Sequence, residues 1–273
     1  MALLDISFKD YCVLEGINAS SLKYWMGEPF SPKSAAYNYQ TPRKDTDAFR
    51  TGRAVHAWLE YRNRMPPEYE LAQIESWGQK GGKALKKDIV DAGKIPLNLS
   101  EISAIENMSA ALWNDPLMKR THDGDILREV SIKVNGYKGM FDVVDVDDSN
   151  IIDWKTTRHS DPRKIESDAY KLGYHLQAYH YQMLAQEHFK KDFTFSFAFV
   201  CTAPPHETFI YLCSDDFMEA GKKAWDISVE RLAKYGKLPY SSLDGLSTEV
   251  LDLEIPDWVE DSEEDLTLLG DFE

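Results

Sequence analysis

EVSIKVNGYKGMFDVVDVDDSNIIDWKTT, residues Glu129 to Thr157, reads as three short strands joined by two tight turns. Val130, Ile132 and Val134 alternate with Glu129, Ser131 and Lys133, the two-residue period of a half-buried strand. Asn135-Gly136 is a dipeptide that supplies the positive φ angles of a two-residue hairpin turn. Met140 to Val146 is β-branched and apolar, interrupted by Asp142. Asp147-Asp148-Ser149-Asn150 turns the chain again, and Ile151 to Lys155 forms the third strand.

Successive side chains on a strand point to opposite faces, so Asp153 and Lys155 share one face while Ile152 and Trp154 take the other. An acid and a lysine two apart, beside a strand carrying another acid, form a spare constellation for metal-assisted phosphodiester hydrolysis. Two carboxylates suit the oxygen preference of Mg²⁺. Such an ion would lower the pKa of water and stabilise charge on a scissile phosphate. The Lys155 ammonium would orient that water or add electrostatic stabilisation. The alternative is a strand-edge Asp142 beside a solvated Asp153/Lys155 pair, because D-x-K is a very short pattern.

The 273 residues suit one large domain or two small ones. Three scattered cysteines, Cys12, Cys201 and Cys213, have no C-x-x-C spacing, which implies a reducing compartment and no zinc or iron–sulfur site. No apolar run approaches a membrane span and no signal-peptide pattern opens the chain, so a cytoplasmic protein without a membrane partner is expected. The net charge of −15 is unevenly spread. Residues 238–273 hold 12 of the 46 acids and none of the 31 bases, leaving −3 over residues 1–237. Composition therefore does not exclude DNA.

Toward the N-terminus, Asn18-Ala19-Ser20-Ser21 caps a short helix ending near Gly27-Glu28-Pro29, and Ser31-Pro32 starts another turn or helix. Gln40 to Asp45 reads as a loop. A helix follows from about Thr46 to Arg62, with Phe49, Gly52, Val55, His56 and Leu59 at helical spacing. His56 on that face is either a hydrogen-bonded core residue or a metal ligand. Residues 74–94 carry Gly78, Gly81 and Gly82 among five lysines. They read as a mobile surface segment, or as a flexible clamp whose lysines meet phosphates. An amphipathic helix is expected over 99–119.

Beyond the three strands, Arg158 to Lys164 is a basic loop, and a single long helix is expected from about Ile165 to Phe189. Gln177 and Tyr181, four apart, neighbour one another on it. Phe193, Phe195, Phe197 and Phe199 alternate as a strand, Thr208 to Cys213 is its antiparallel partner, and Ser214 caps a helix from Asp215 to Tyr235. The last 30 or so residues mix acids with Leu251, Trp258, Leu268 and other apolar groups. They read as a flexible segment that solubilises the chain, folds on a partner, or mimics phosphate in the protein's own DNA channel.

Together these landmarks resemble the PD-(D/E)xK nuclease superfamily, and within it the RecE-type exonucleases of phage recombination systems, relatives of RecB and lambda exonuclease. The matching residues are Gly52 to His56, Glu129 to Ser131, Gly139 to Asp142, Ile152 to Thr157 and Gly173 to Tyr181. Ser20-Ser21-Leu22 and Gly236 to Tyr240 resemble the ends of such a domain. The resemblance implies an α/β fold, a central mixed sheet flanked by helices, with one nuclease domain over 1–240, its catalytic core about 46–213, and an acidic tail over 241–273. It implies a metal site of His56, Asp142 and Asp153, a catalytic Lys155, and Gln177 and Tyr181 supporting site and substrate. Glu129 matches an acid at the start of the first strand, and Arg53 and Tyr174 match substrate contacts. The implied cofactor is Mg²⁺, with Mn²⁺ as the alternative.

The implied activity is 5′→3′ digestion of linear double-stranded DNA with free ends, leaving 3′ single strands for a single-strand annealing protein. The implied assembly is a ring-shaped homo-oligomer. Two alternatives stand: a RecB-like or structure-specific endonuclease, and a non-catalytic DNA- or protein-binding module on the same fold. Three scattered cysteines depart from the iron–sulfur members, which need four.

Overall fold

The computed structural model describes residues 3–4, 6–27, 30–42, 46–61, 64–116, 118–119 and 126–243. The expected acidic tail from residue 244 onward lies outside them, as do Glu28-Pro29, Arg43-Lys44-Asp45 and Arg62 of the expected breaks and helix end. In chain order the elements are β1 Leu3–Leu4, α1 Phe8–Val13, α2 Ala19–Leu22 with a 3-10 turn Lys23–Trp25, α3 Pro32–Gln40 and α4 Asp47–Glu60. Then come β2 Tyr69–Leu71, α5 Gly82–Asp91, β3 Ile95–Leu97, α6 Leu99–Asn114, β4 Ile126–Val134, β5 Tyr137–Asp145 and β6 Asn150–Thr157. The chain continues with α7 Pro162–Lys171, α8 Tyr174–Phe189, β7 Thr194–Cys201, β8 Thr208–Leu212 and α9 Asp215–Tyr235.

The three expected strands are β4, β5 and β6, paired antiparallel in sequence order. Asn135 and Gly136 take φ of 50° and 83°, as the hairpin turn requires. β6 pairs parallel with β7, and β7 antiparallel with β8, which makes a mixed sheet of order β1-β4-β5-β6-β7-β8. A parallel pair needs a long crossover. Here α7 and α8 supply it and cover one face of the sheet.

Sequence alternation decides what each face meets. Phe193, Phe195, Phe197 and Phe199 all turn to the α7–α8 side, packing with Ile165, Ala178, Leu184 and Ala185. Each such phenylalanine contributes roughly 1.5–3 kcal/mol of burial. Trp154, Ile152, Val143 and Ala198 face the other way, onto Ala54, Val55 and Leu59 of α4 and Ile105, Met108 and Leu112 of α6. The sheet is thus sandwiched between helices, as expected.

Two expectations are corrected. The long helix of 165–189 is two helices, α7 and α8, parted at Leu172-Gly173, where Gly173 takes φ 69°. Apolar periodicity runs through the break, so the pattern hides it. The lysine-rich stretch of 74–94 holds α5, and Trp77 Nε1 donates to Glu101 Oε2 of α6 at 3.0 Å. Lys86 lies 5.4 Å above the same indole, and the Leu99 N–H donates to the Ile74 carbonyl at 2.9 Å, so α5 is held to Trp77 and the stretch to the body.

Candidate active site

The register of the strands builds the site. β4 and β5 hold one alignment from Ile126↔Asp145 to Val134↔Tyr137, which sets Glu129 across from Asp142. β5 and β6 pair as far as Val143↔Ile152 and then part; one step further in the same alignment sets Asp142 across from Asp153. In place of the next ladder bond, Asp142 Oδ2 accepts from the Trp154 backbone N–H at 2.6 Å. Three carboxylates from three adjacent strands therefore stand in one row at the parting of the sheet.

Glu129 departs from regular strand geometry. Its φ is 48°, a left-handed conformation that costs a non-glycine residue about 1–3 kcal/mol. Leu127 and Val130 both face the α8-side core, so the alternation slips at this residue. Strain of this kind persists only where packing over-determines it.

His56 reaches the row from α4. Its Nε2 lies 2.9 Å from the Trp154 carbonyl oxygen, which only accepts, so Nε2 carries a proton. Nδ1 then faces Asp142 Oδ1 at 3.3 Å and Glu129 Oε1 at 3.9 Å. Burial opposes a charged imidazole, but Asp142 and then Glu129 outweigh it and raise the His56 pKa to about 9. Burial raises Glu129 well above the carboxylate range, helped by the Asp142 charge. Asp142, whose charge burial opposes, is held low by His56 and Lys155.

One step along the row, Asp153 is 2% exposed, and both of its oxygens are engaged. Oδ1 accepts from Gln177 Nε2 at 2.7 Å, and Oδ2 pairs with the Lys155 ammonium. Burial raises the Asp153 pKa, against the pull of Lys155. Burial would lower Lys155, but Asp153, then Tyr174 and Asp142, raise it, so the ammonium stays charged. It lies 5.2 Å above the Tyr174 ring, which stacks on Phe197 at 5.4 Å.

The donor set that converges on one point is His56, Glu129 and Asp142, whose ligand atoms lie within 4.8 Å of one another. The sequence-expected set had Asp153 in place of Glu129. Glu129 Oε1 is buried with no hydrogen-bond partner, the kind of orphaned oxygen that a cation satisfies. Carboxylates with one imidazole fit Mg²⁺ and suit Mn²⁺ as well.

The remaining expected residues divide. Gln177 touches Asp153 directly. Tyr181, one turn on, packs edge-on to Phe141 with ring centroids 5.3 Å apart and stands behind the acids. Gly139 makes that packing reachable: a Cβ there would lie 2.8 Å from Leu184 Cδ1 and 3.3 Å from Tyr181 Cε1. Arg53 is half-buried on α4, where its charge acts on Cys12 of α1. Two residues in the site's surroundings escape sequence reading. Glu60, one turn after His56, raises Glu129 through its charge, and i, i+4 spacing could have found it. Lys23 donates to Gln177 Oε1 at 3.1 Å from 154 residues away, and no local signal marks it.

Residues 19–238 match the family model described as a PDDEXK-like domain of unknown function (DUF3799). The chain belongs to this PDDEXK-like family. Its fold is similar to that of a candidate exonuclease from Eubacterium rectale, at 13% identity over 98% of this chain and 100% of that one, TM-score 0.61. A phage-related exonuclease from Haemophilus somnus 129PT matches at 15% identity over 86% of this chain and 99% of that one. Its TM-score of 0.38 carries no argument. No curated protein matches the chain. PDDEXK-like membership supports a nuclease, and the nucleases of that fold generally use a divalent metal, which the donor set here accommodates. Among the described residues no helix is long and apolar enough to cross a membrane.

Proposed function

We propose that this chain is a metal-dependent DNA exonuclease that digests linear double-stranded DNA from the 5′ end and leaves 3′ single strands for annealing. The observation that carries the reading is the row Glu129, Asp142, Asp153 at the parting of β5 and β6, with His56 at one end and Lys155 at the other. The likeness in fold to a candidate exonuclease supports it, and the polarity follows from the RecE-type resemblance.

His56, Glu129 and Asp142 would hold Mg²⁺ or Mn²⁺, with Asp153 adjoining. The ion supplies Lewis acidity and a nucleophilic water near neutral pH. Lys155 stays protonated, so it acts as a donor that orients water or offsets charge on the phosphate, and not as a base. Gln177 and Lys155 fix the two oxygens of Asp153. Trp154 fixes Asp142 through its N–H and His56 through its carbonyl, so one residue of β6 sets both ligands.

Three duplexes test the reading with Mg²⁺ or EDTA: linear with a 5′ label, linear with a 3′ label, and closed circular. Metal-dependent early release of the 5′ label with the circle intact is the expected result. Nicking of the circle would make the chain an endonuclease. A folded chain that cleaves none of the three with any of several metals would make it a binding module. Native mass measurement checks the homo-oligomer that a processive exonuclease of this type would form.

A further inference from the structure

Lys23 stands in the 3-10 turn after α2, in the half-buried layer between that turn and the first turn of α8. Its Nζ donates to Gln177 Oε1 at 3.1 Å, and Gln177 Nε2 donates to Asp153 Oδ1 at 2.7 Å. An ammonium offers only protons and an ionised carboxylate only lone pairs, while an amide offers one of each end. With Lys23 on one side, the Gln177 carbonyl turns toward it and the amide protons turn to Asp153. Asp153 by itself favours this orientation, and Lys23 locks it from the other side: in the flipped one the Gln177 oxygen would oppose the carboxylate and the amide protons would meet an ammonium that cannot accept them.

The backbone is shaped to bring Lys23 there. Gly173 opens α8 with φ 69°, and Gln177 N–H bonds to the Gly173 carbonyl at 3.2 Å, one turn on. A Cβ on Gly173 would lie 2.7 Å from Met26 Cε and 3.3 Å from Lys23 Cγ. Glycine therefore serves both the left-handed conformation and the close seating of the Lys23 turn. The next residue, Tyr174, carries two ammoniums over its ring, Lys23 at 4.7 Å and Lys155 at 5.2 Å. Cation–π attraction thus holds Lys23 where its remaining reach ends at Gln177.

We infer that Lys23 is a positioning residue of the site: it sets the Gln177 amide, and through that amide fixes Asp153 Oδ1 while Lys155 fixes Oδ2. The inference rests on the nuclease reading for its consequence in catalysis, and on geometry alone for the coupling of Lys23 to Gln177. Lys23→Met keeps the length and removes the donor; Lys23→Arg keeps a donor and the charge.

Kinetics on linear duplex are compared for the wild type, Lys23→Met, Lys23→Arg, Gln177→Ala and the Lys23→Met/Gln177→Ala double variant. Lys23→Met is expected to lower kcat roughly 10-fold, the low end of the loss seen when a partner of a metal ligand is removed, because Lys23 reaches Asp153 only through Gln177. KM should change little, and Lys23→Arg should restore most of kcat. The double variant should be no slower than Gln177→Ala, because both losses act through one amide. Thermal melts of the metal-free proteins should show the same non-additivity in Tm.

Additive losses in kcat or in Tm would overturn the inference, as would a raised KM with kcat unchanged. A wild-type chain that cleaves no duplex would overturn the nuclease reading. The metal-free melts decide the Lys23–Gln177 coupling in either case.

Discussion

Glu129→Gln separates what the site does for stability from what it does for a metal. Glu129 Oε1 is buried without a hydrogen-bond partner, beside Asp142 in the same row. Burial and the Asp142 charge outweigh the attraction of His56 at 3.9 Å and raise the Glu129 pKa, so ionising Glu129 costs the folded chain stability. Glutamine keeps that shape without the charge, and its amide can donate to Asp142. Relief of one unsatisfied buried group is worth about 2 kcal/mol, within the range for such groups. In a chain of this length that is about 4–8 °C in Tm.

The metal reverses the order. A hundredfold excess over Kd stabilises the wild type by about 2.7 kcal/mol, or about 5–11 °C. The variant, missing a charged ligand, gains less. Melts in EDTA should thus place Glu129→Gln above the wild type, and melts in Mg²⁺ should close or invert the gap. The sign in pH follows from a raised carboxyl pKa. The wild type's handicap is present above the folded pKa of Glu129 and vanishes below the ordinary value of 4.5, where the acid is protonated folded or unfolded. A variant less stable than the wild type in EDTA at neutral pH, or an equal Mg²⁺ gain in both, would refute the reasoning.

Asp153→Ala should abolish metal-dependent cleavage while the chain still folds and binds DNA, measured by nuclease assay, circular dichroism and gel shift; retained full activity would remove Asp153 from the site. Metal binding needs the Nδ1 lone pair of His56, so it displaces a proton at any pH below about 9. Affinity should climb about tenfold per pH unit for the His56 proton, and more steeply where Glu129, raised by its burial, also gives one up. Mn²⁺ calorimetry between pH 6 and 9 checks the slope, which His56→Gln should flatten. Gly139→Ala drives a methyl toward fully buried Leu184, and should cost about 1–3 kcal/mol in urea unfolding, as overpacking does.

What the chain's local pattern determines is considerable. The alternation of Glu129 to Thr157 and its Asn135-Gly136 turn specify the β4–β5–β6 meander, because strand period and turn chemistry are properties of neighbours in sequence. The same alternation places Asp153 with Lys155, and the phenylalanines of β7 on one face. Where local signals conflicted, the reading failed: apolar periodicity continued across Leu172-Gly173, although the glycine there breaks the helix.

Tertiary structure decided the rest. Which carboxylates share a cation depends on where β5 leaves β6, on the left-handed turn at Glu129, and on the reach of His56 from a helix on the opposite face. Lys23 enters only because Gly173 lets a distant turn lie against α8. The sequence by itself determined the strands and the acid–lysine pair; packing alone decided which of their atoms meet, because register and close approach are settled between segments and not within them.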